Sequence, residues 1–172
     1  MLAFWHDAGP SHWFSKDEAF DGEFRERFLA AHEAAARGEL DGWGATPEGA
    51  LALCILLDQF PRNAFRGTPR MFATDAQARA VAKSAIGAGH DRAVDPQLQQ
   101  FFYLPLMHSE DIADQEMCVA LTQGLATDSH RFALMHRDII RRFGRFPHRN
   151  DVLGRTSTPE EIAFLAGGGF AG

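Results

Sequence analysis

The chain has 172 residues, of which 45% are hydrophobic and 23% are charged, and these values are typical of a globular domain large enough for a proper core. Its formal net charge of −6 argues against general nucleic-acid binding, which needs a broad basic surface. The longest strongly apolar run, residues 50–57, is far too short for a membrane span, so we expect no membrane partner.

Helix start and stop signals divide the chain into about seven segments. The first carries Phe20, Phe24 and Phe28 at helical spacing and stops at Gly38. The second is apolar almost all round, which is typical of a central helix. The predicted segments are 16–37, 49–59, 74–86, 95–105, 110–125, 128–143 and 158–166.

Capping residues set the limits of these segments. Thr46 followed by Pro47 is a helix start, and Ser109 and Thr127 are predicted to cap the helices that follow them. Capping boxes are predicted at 74–77 and 158–161, where Thr precedes Gln or Glu by three residues. The dipeptide at 60–61, Phe-Pro, is expected to end the second helix, because the residue before a proline avoids the helical region.

No segment alternates polar and apolar residues in the manner of a strand, and no turn resembles a β-hairpin. Short connections between helices favour antiparallel helical pairs, arranged either as a bundle or as a stacked, tetratricopeptide-repeat-like array. We therefore predict an all-α fold forming one domain over residues 1–172.

The cysteines and the first residues bear on where the protein works. Cys54 and Cys118 each sit within an apolar helical pattern, which predicts buried thiols in a reducing compartment. The segment 1–10 lacks the basic start and long apolar stretch of a secretion signal. We therefore predict a cytoplasmic protein.

Two stretches of the chain resemble one another. Residues 58–63 and 144–150 both contain Phe-Pro followed by basic groups and Asn, and a stretch rich in Gly, Arg, Thr and Pro follows each. The similarity suggests a duplicated motif at a helix exit. The alternative is that Phe-Pro is simply a common way to end a helix.

These motifs also resemble those of a known family. The segments that carry the resemblance to the bacterial domain-of-unknown-function 924 family are 57–63, 65–69, 108–111, 114–116 and 143–150, together with Phe4-Trp5, Trp13-Phe14 and Phe20-Asp21. The resemblance covers nearly the whole chain. It implies an all-helical fold similar to tetratricopeptide repeats, and it implies no established activity.

Basic residues crowd around both Phe-Pro dipeptides. They are Arg62 and Arg66 at the first, and Arg141, Arg142, Arg145, His148 and Arg149, followed by Asn150, at the second. Guanidinium groups bind carboxylate or phosphate through paired hydrogen bonds, so these residues predict a site for a small anion. The structural alternative is that they bond the free carbonyls at helix C-termini.

Acidic residues and a histidine gather at the start of the fifth predicted helix: His108, Glu110, Asp111, Asp114 and Glu116. That helix is apolar nearly all round, so some carboxylates should be partly buried, and a buried carboxylate needs a partner. We predict that this segment faces the basic loop 145–149. Alternatively, the acids only complement the helix dipole. The spacing matches no recognised metal motif, and we predict no metal site.

A further histidine, His136, falls in the middle of the apolar face of its helix, between Phe132 and Ile140. It is either a core residue bonded to a carbonyl or a group available for proton transfer. The candidate catalytic residues are His108, His136, His148 and Asp114.

Three functions remain open. The first is a binding module with one cleft for a small anionic molecule or a peptide carboxylate. The second is an enzyme with a His/carboxylate pair beside an arginine clamp. The third is a structural protein whose arginine–acid network locks its loops.

The sequence leaves cofactors and oligomeric state open. The predicted cleft residues are Arg62, Arg66, His108, Glu110, Asp111, Asp114, His136, Arg145, His148, Arg149 and Asn150, which requires the two Phe-Pro loops to approach one another.

Overall fold

The computed structural model describes residues 1–172 and is all-α, with 69% of the chain helical and no strands. The predicted fold class is therefore confirmed. None of the helices combines the length and the apolar character that crossing a membrane requires.

The chain forms two compact units. The first unit comprises residues 1–66 and 70–105, and the second comprises residues 67–69 and 106–172. Each is described by itself. The single domain predicted over 1–172, and the predicted approach of the two Phe-Pro loops, stay predictions.

The first unit contains the N-terminal helices and most of α7. Its elements are α1 (Leu2–Ala8), α2 (Pro10–Trp13), α3 (Glu18–Ala36), α4 (Pro47–Cys54), a π-helix (Ile55–Gln59), α5 (Phe60–Ala64), α6 (Asp75–Gly87) and α7 (Gln100–Met107), with 3-10 turns at Asp41–Ala45, Pro69–Phe72 and His90–Arg92. Asp17 caps α3 and Thr46 caps α4, each through its side-chain oxygen. Leu53, Leu56 and Leu57 are buried together as a hydrophobic core.

The predicted end of the second helix at Phe60-Pro61 is wrong, because the chain stays helical through both residues. Pro61 has no N–H, so the carbonyl of Leu57 four residues earlier loses its usual donor. One π-helical turn precedes the proline, and in it the N–H of Phe60 bonds to Ile55 instead of Leu56. The carbonyls of Leu56 and Leu57 consequently need donors from elsewhere in the unit.

Two side chains supply those donors. His32 Nδ1 lies 2.9 Å from the Leu56 carbonyl oxygen, and Thr74 Oγ1 lies 2.6 Å from that of Leu57. Thr74 makes no side-chain capping bond, so the capping box predicted at 74–77 is wrong, although α6 begins where expected. Because the Thr74 hydroxyl bonds to the distant Leu57 carbonyl, it does not cap the start of α6.

The second unit contains α8 (Ile112–Thr122), α9 (Ser129–Phe143), a 3-10 turn (Pro147–Arg149) and α10 (Pro159–Ala166). Asp111, two residues beyond the predicted Ser109, caps α8. Asp128 precedes α9 but makes no side-chain capping bond, whereas Thr127 accepts from the N–H of Ser129 at 3.4 Å. Helix α9 ends at Gly144 in the left-handed conformation, with φ of 69°. The capping box of α10 is confirmed.

All seven predicted segments correspond to helices, namely α3, α4, α6, α7, α8, α9 and α10. Helix α7 differs most from its predicted segment, because it begins at Gln100 rather than near 95 and continues past Pro105. Cys54 and Cys118 are buried free thiols, as predicted. Of the two copies of the repeated motif, only 144–150 follows the end of a helix, because most of the copy at 58–63 lies within helical residues.

Candidate functional site

In the first unit, Arg62 lies between two buried acids. Its Nη1 and Nη2 contact the two carboxylate oxygens of Asp75 at 2.9 and 3.1 Å, and Nη1 lies 3.0 Å from Asp58 Oδ1. Nη1 also donates to the Asp58 carbonyl at 2.8 Å. This guanidinium therefore joins the π-helix to the start of α6.

Arg66 and Asn63 converge on one carboxylate. Arg66 Nε lies 2.6 Å and Asn63 Nδ2 2.7 Å from the oxygens of Asp21, and Arg66 Nη2 donates to the Ser15 carbonyl. Asp21 lies in the first turn of α3, so the motif that follows Phe60-Pro61 holds the beginning of that helix. Arg66 therefore does not bond the carbonyls of a helix C-terminus, and the contact is of the kind that a loop-locking arginine–acid network would contain.

In the second unit, the loop after α9 is tied to α10. Arg145 Nε and Nη2 contact the carboxylate oxygens of Glu161 at 2.6 and 2.8 Å. Glu161 Oε2 also accepts from Asn150 Nδ2 and from the N–H of Thr158. These bonds, foremost the one from Arg145, lower the pKa of the buried Glu161 to about 2. Glu161 was not among the predicted site residues, although the sequence predicted the capping box that contains it.

The acidic segment 108–116 and the basic loop 144–150 meet through Glu110. Its Oε1 accepts the N–H of Phe146 at 2.8 Å, and Arg155 adds a paired interaction with both carboxylate oxygens at 2.8 and 3.0 Å. The pKa of Glu110 is lowered because these hydrogen bonds outweigh the opposing effect of burial. The structure thus brings the two segments together, but the arginine involved is Arg155, which the sequence did not single out.

The remaining acids of the segment have different roles. Asp111 caps α8 by accepting from the N–H of Ala113, and Asp114, 4% exposed, accepts from Ser109 Oγ at 2.7 Å. Glu116 pairs with Arg141 at the surface. Arg145, which belongs to the basic loop that this segment was predicted to face, pairs with Glu161 of α10. No group of three or more His, Cys, Asp or Glu side chains is arranged to hold a metal ion.

Three predicted histidines form what we call the imidazole cluster: His108, His136 and His148. The ring centroids of His108 and His136 are 6.5 Å apart. The ring of Phe146 lies 5.4 Å from that of His136 and 5.6 Å from that of His148. Phe170 completes the arrangement, at 4.6 Å from His136 and 5.2 Å from His148.

The imidazoles of His136 and His148 are neutral near pH 7. Burial, followed by the charge of His108, lowers the pKa of His136 to about 3, and burial followed by Arg149 lowers that of His148 to about 4. His136 Nδ1 lies 2.8 Å from the Phe132 carbonyl oxygen, which can only accept, so this nitrogen carries the proton. His148 Nδ1 is buried and has no hydrogen-bond partner.

Arg149 brings a positive charge to the imidazole cluster. It is only 7% exposed, its guanidinium carbon lies 4.5 Å from the centroid of the Phe146 ring, and Nη2 donates to the His108 carbonyl at 2.9 Å. Guanidinium groups stack on aromatic faces in this way while keeping an in-plane set of donors. The neutral imidazoles of His136 and His148, the second with its unpartnered Nδ1, therefore lie near the guanidinium of Arg149.

Besides Glu161, the sequence missed three participants in this unit: Phe146, Phe170 and Arg155. Phe146 could have been found, because it lies between Arg145 and His148 and its neighbours were already singled out. Arg155 lies 45 residues from Glu110, and no local pattern joins them. Phe170 follows three glycines and lies outside any periodic segment.

The chain belongs to a family described as a bacterial protein of unknown function, DUF924, whose family model matches residues 1–169. It is similar to a solved structure of a protein of unknown function, ATU0120, from Agrobacterium tumefaciens. The two chains are 56% identical, the match covers 95% of this chain and 93% of the other, and the TM-score is 0.93. No curated protein matches the chain.

Proposed function

We propose that the second unit is a binding module for a small anion, which it holds at the imidazole cluster with Arg149. The observation that carries the proposal is His148 Nδ1, a buried polar atom with no partner, in a ring whose neighbours are a guanidinium and two further imidazoles. Buried polar atoms are almost always satisfied, and an orphaned one calls for an explanation such as a ligand.

The charges around His148 favour an anion. Besides burial, the charges of Arg149, His108 and Arg155 lower the pKa of His148 while that of Glu110 raises it, and the net effect disfavours the imidazolium form without a ligand. An anion beside this ring reverses the effect, because a negative charge favours the imidazolium. Binding should therefore raise the pKa of His148 above about 4 and be accompanied by proton uptake at low pH.

The same values favour binding over proton transfer. A general acid or base works best with a pKa near the operating pH. The pKa values of His136 and His148, about 3 and about 4, lie well below neutrality. The enzyme alternative, which would use these histidines with a carboxylate, accordingly has less support than the binding module.

A structural role is the second candidate, for a different set of residues. Arg145, Asn150 and Glu161 form one set of hydrogen bonds, and Glu110 and Arg155 form another that includes the backbone of Phe146. Both sets tie loop residues to a helix or to the acidic segment. We assign Arg145, Asn150 and Glu110, of the predicted site residues, to holding the basic loop in place.

The test is a titration of the histidine ring signals by NMR, with inorganic phosphate and acetate as separate probes. We expect either anion to shift the rings of His136 and His148 and to raise the pKa of His148. In His148→Phe, the remaining His136 shift should be largely lost. His130→Phe is the matched control, because His130 lies outside the cluster and contacts Thr122. Unchanged ring signals at saturating concentrations of both anions would overturn the proposal.

A further inference from the structure

The ring of Phe170 occupies the space beside the imidazoles. It meets the rings of His136 and His148 edge-on, with interplanar angles of 61° and 85°. Gly172 also lies against His148: a Cβ on this glycine would be 3.2 Å from His148 Cδ2. The segment 170–172 thus covers the imidazole cluster on the side of His148, the residue whose Nδ1 has no partner.

This segment is held by side-chain packing and not by its backbone. The last backbone hydrogen bond of the chain is from Gly169 to the Phe164 carbonyl, and residues 170–172 take part in none. Gly167, Gly168 and Gly169 precede it, and Gly168 adopts a left-handed φ of 82°. Three consecutive glycines allow large backbone rotations at little steric cost, so Phe170 can leave its place without disturbing α10.

We propose that Phe170 is a displaceable plug that occupies the ring subsite of the imidazole cluster, and that the ligand taking its place is an aromatic carboxylate. This inference rests on the proposed function and deepens it by naming the ligand class. The ring of such a ligand fits where the Phe170 ring lies, edge-on to the rings of His136 and His148. Its carboxylate accepts from the buried Nδ1 of His148, beside Arg149.

The plug also sets the affinity. When Phe170 fills the subsite, the binding-competent state is only a fraction of the population, and the apparent affinity falls by that fraction. A plug that is seated about nine-tenths of the time weakens binding about tenfold. The loss is expected for ring-bearing ligands, because only these need the whole space of the Phe170 ring.

The experiment compares phenylacetate with acetate in the wild-type chain, in Phe170→Ala, in Phe164→Ala and in Phe14→Ala, using the NMR signals of His136 and His148. Phe164 packs in the same hydrophobic cluster as Phe170, so Phe164→Ala reports on loosening of the segment by lost packing alone. The matched control is Phe14→Ala, an exposed phenylalanine of the first unit. We expect Phe170→Ala to bind phenylacetate about tenfold more tightly than wild type, and to bind acetate about as before. Phe14→Ala should bind both as wild type does.

Phe170→Leu, which keeps an apolar side chain for packing, serves as the second variant and should also strengthen phenylacetate binding if Phe170→Ala does not fold. If acetate shifts the histidine rings but phenylacetate binds no better in either variant, the plug is overturned and the anion site stands. If neither carboxylate shifts the rings in any form of the protein, the plug is overturned, and the anion site is overturned with it when inorganic phosphate also leaves the rings unchanged.

Discussion

Thr74 donates its hydroxyl hydrogen bond to the carbonyl oxygen of Leu57 over 2.6 Å, and both residues are buried. In an uninterrupted α-helix this carbonyl would accept from residue 61, which here is a proline without an N–H. A side chain 17 positions along the chain therefore completes the hydrogen bonding of a helix that continues through a proline.

We predict that Thr74→Val destabilises the fold, because it leaves the buried Leu57 carbonyl without a donor while conserving side-chain shape. The expected loss is about 1–3 kcal/mol in the free energy of unfolding, measured by chemical denaturation. Thr74→Ser keeps the hydroxyl and should lose clearly less. Thr156→Val, at an exposed position, is the control and should be close to neutral. Equal losses for the Val and Ser variants of Thr74 would contradict the prediction.

Glu110→Ala should destabilise the second unit, because it removes the acceptor of the Phe146 N–H and of both Arg155 bonds. A hydrogen bond to a charged group contributes about 1.5–3 kcal/mol, and we expect a loss of that order in chemical denaturation. Glu116→Ala is the matched control, since it breaks an exposed pair with Arg141 that should contribute about 0–1 kcal/mol. A loss for Glu116→Ala as large as for Glu110→Ala would argue against the network.

The pairing of Arg145 can be tested by two double-mutant cycles. Arg145→Ala and Glu161→Gln should be strongly coupled in the free energy of unfolding, because the two side chains share paired hydrogen bonds. Arg145→Ala and Asp114→Ala should be nearly additive, since the guanidinium of Arg145 is bound to Glu161 and to the Thr156 carbonyl. The reverse pattern, with coupling only to Asp114, would contradict the pairing of Arg145 with Glu161.

Acid should weaken the fold through Glu161. Its folded-state pKa of about 2 lies below the ordinary value of 4.5, so the ionised carboxylate stabilises the fold fully above about pH 4.5. That contribution is lost as the pH falls toward about 2. We predict that the stability difference between wild type and Glu161→Gln, followed by denaturation at several pH values, shrinks across this window. A difference independent of pH would exclude the carboxylate charge as its source.

The histidines predict a second acid-sensitive range. His136 and His148 have folded-state pKa values of about 3 and about 4, below the ordinary 6.5. The unfolded chain therefore binds more protons, and stability should fall as the pH drops below 6.5 toward 4. In His148→Phe this slope should be shallower, whereas in His130→Phe it should match wild type. An unchanged slope in His148→Phe would show that His148 is not held neutral.

Much of the fold could be read from local signals. Caps such as Thr46 and Thr158, the apolar periodicity of α3 and the glycine after α9 each act within a few residues, so the sequence located seven helices without any tertiary information. It failed where a distant partner decided the outcome. The helix through Pro61 depends on His32 and Thr74, neither of which is near it in the sequence.

The candidate site divides in the same way. The sequence by itself identified the three histidines of the imidazole cluster and the basic loop as candidates, because polar residues stand out in apolar helical surroundings. Only the tertiary structure decided which pairs form: Glu110 takes Arg155, Arg145 takes Glu161, and Phe170 reaches His136. A buried charge requires some partner, but which partner it finds depends on how the loops bring distant residues within hydrogen-bond distance.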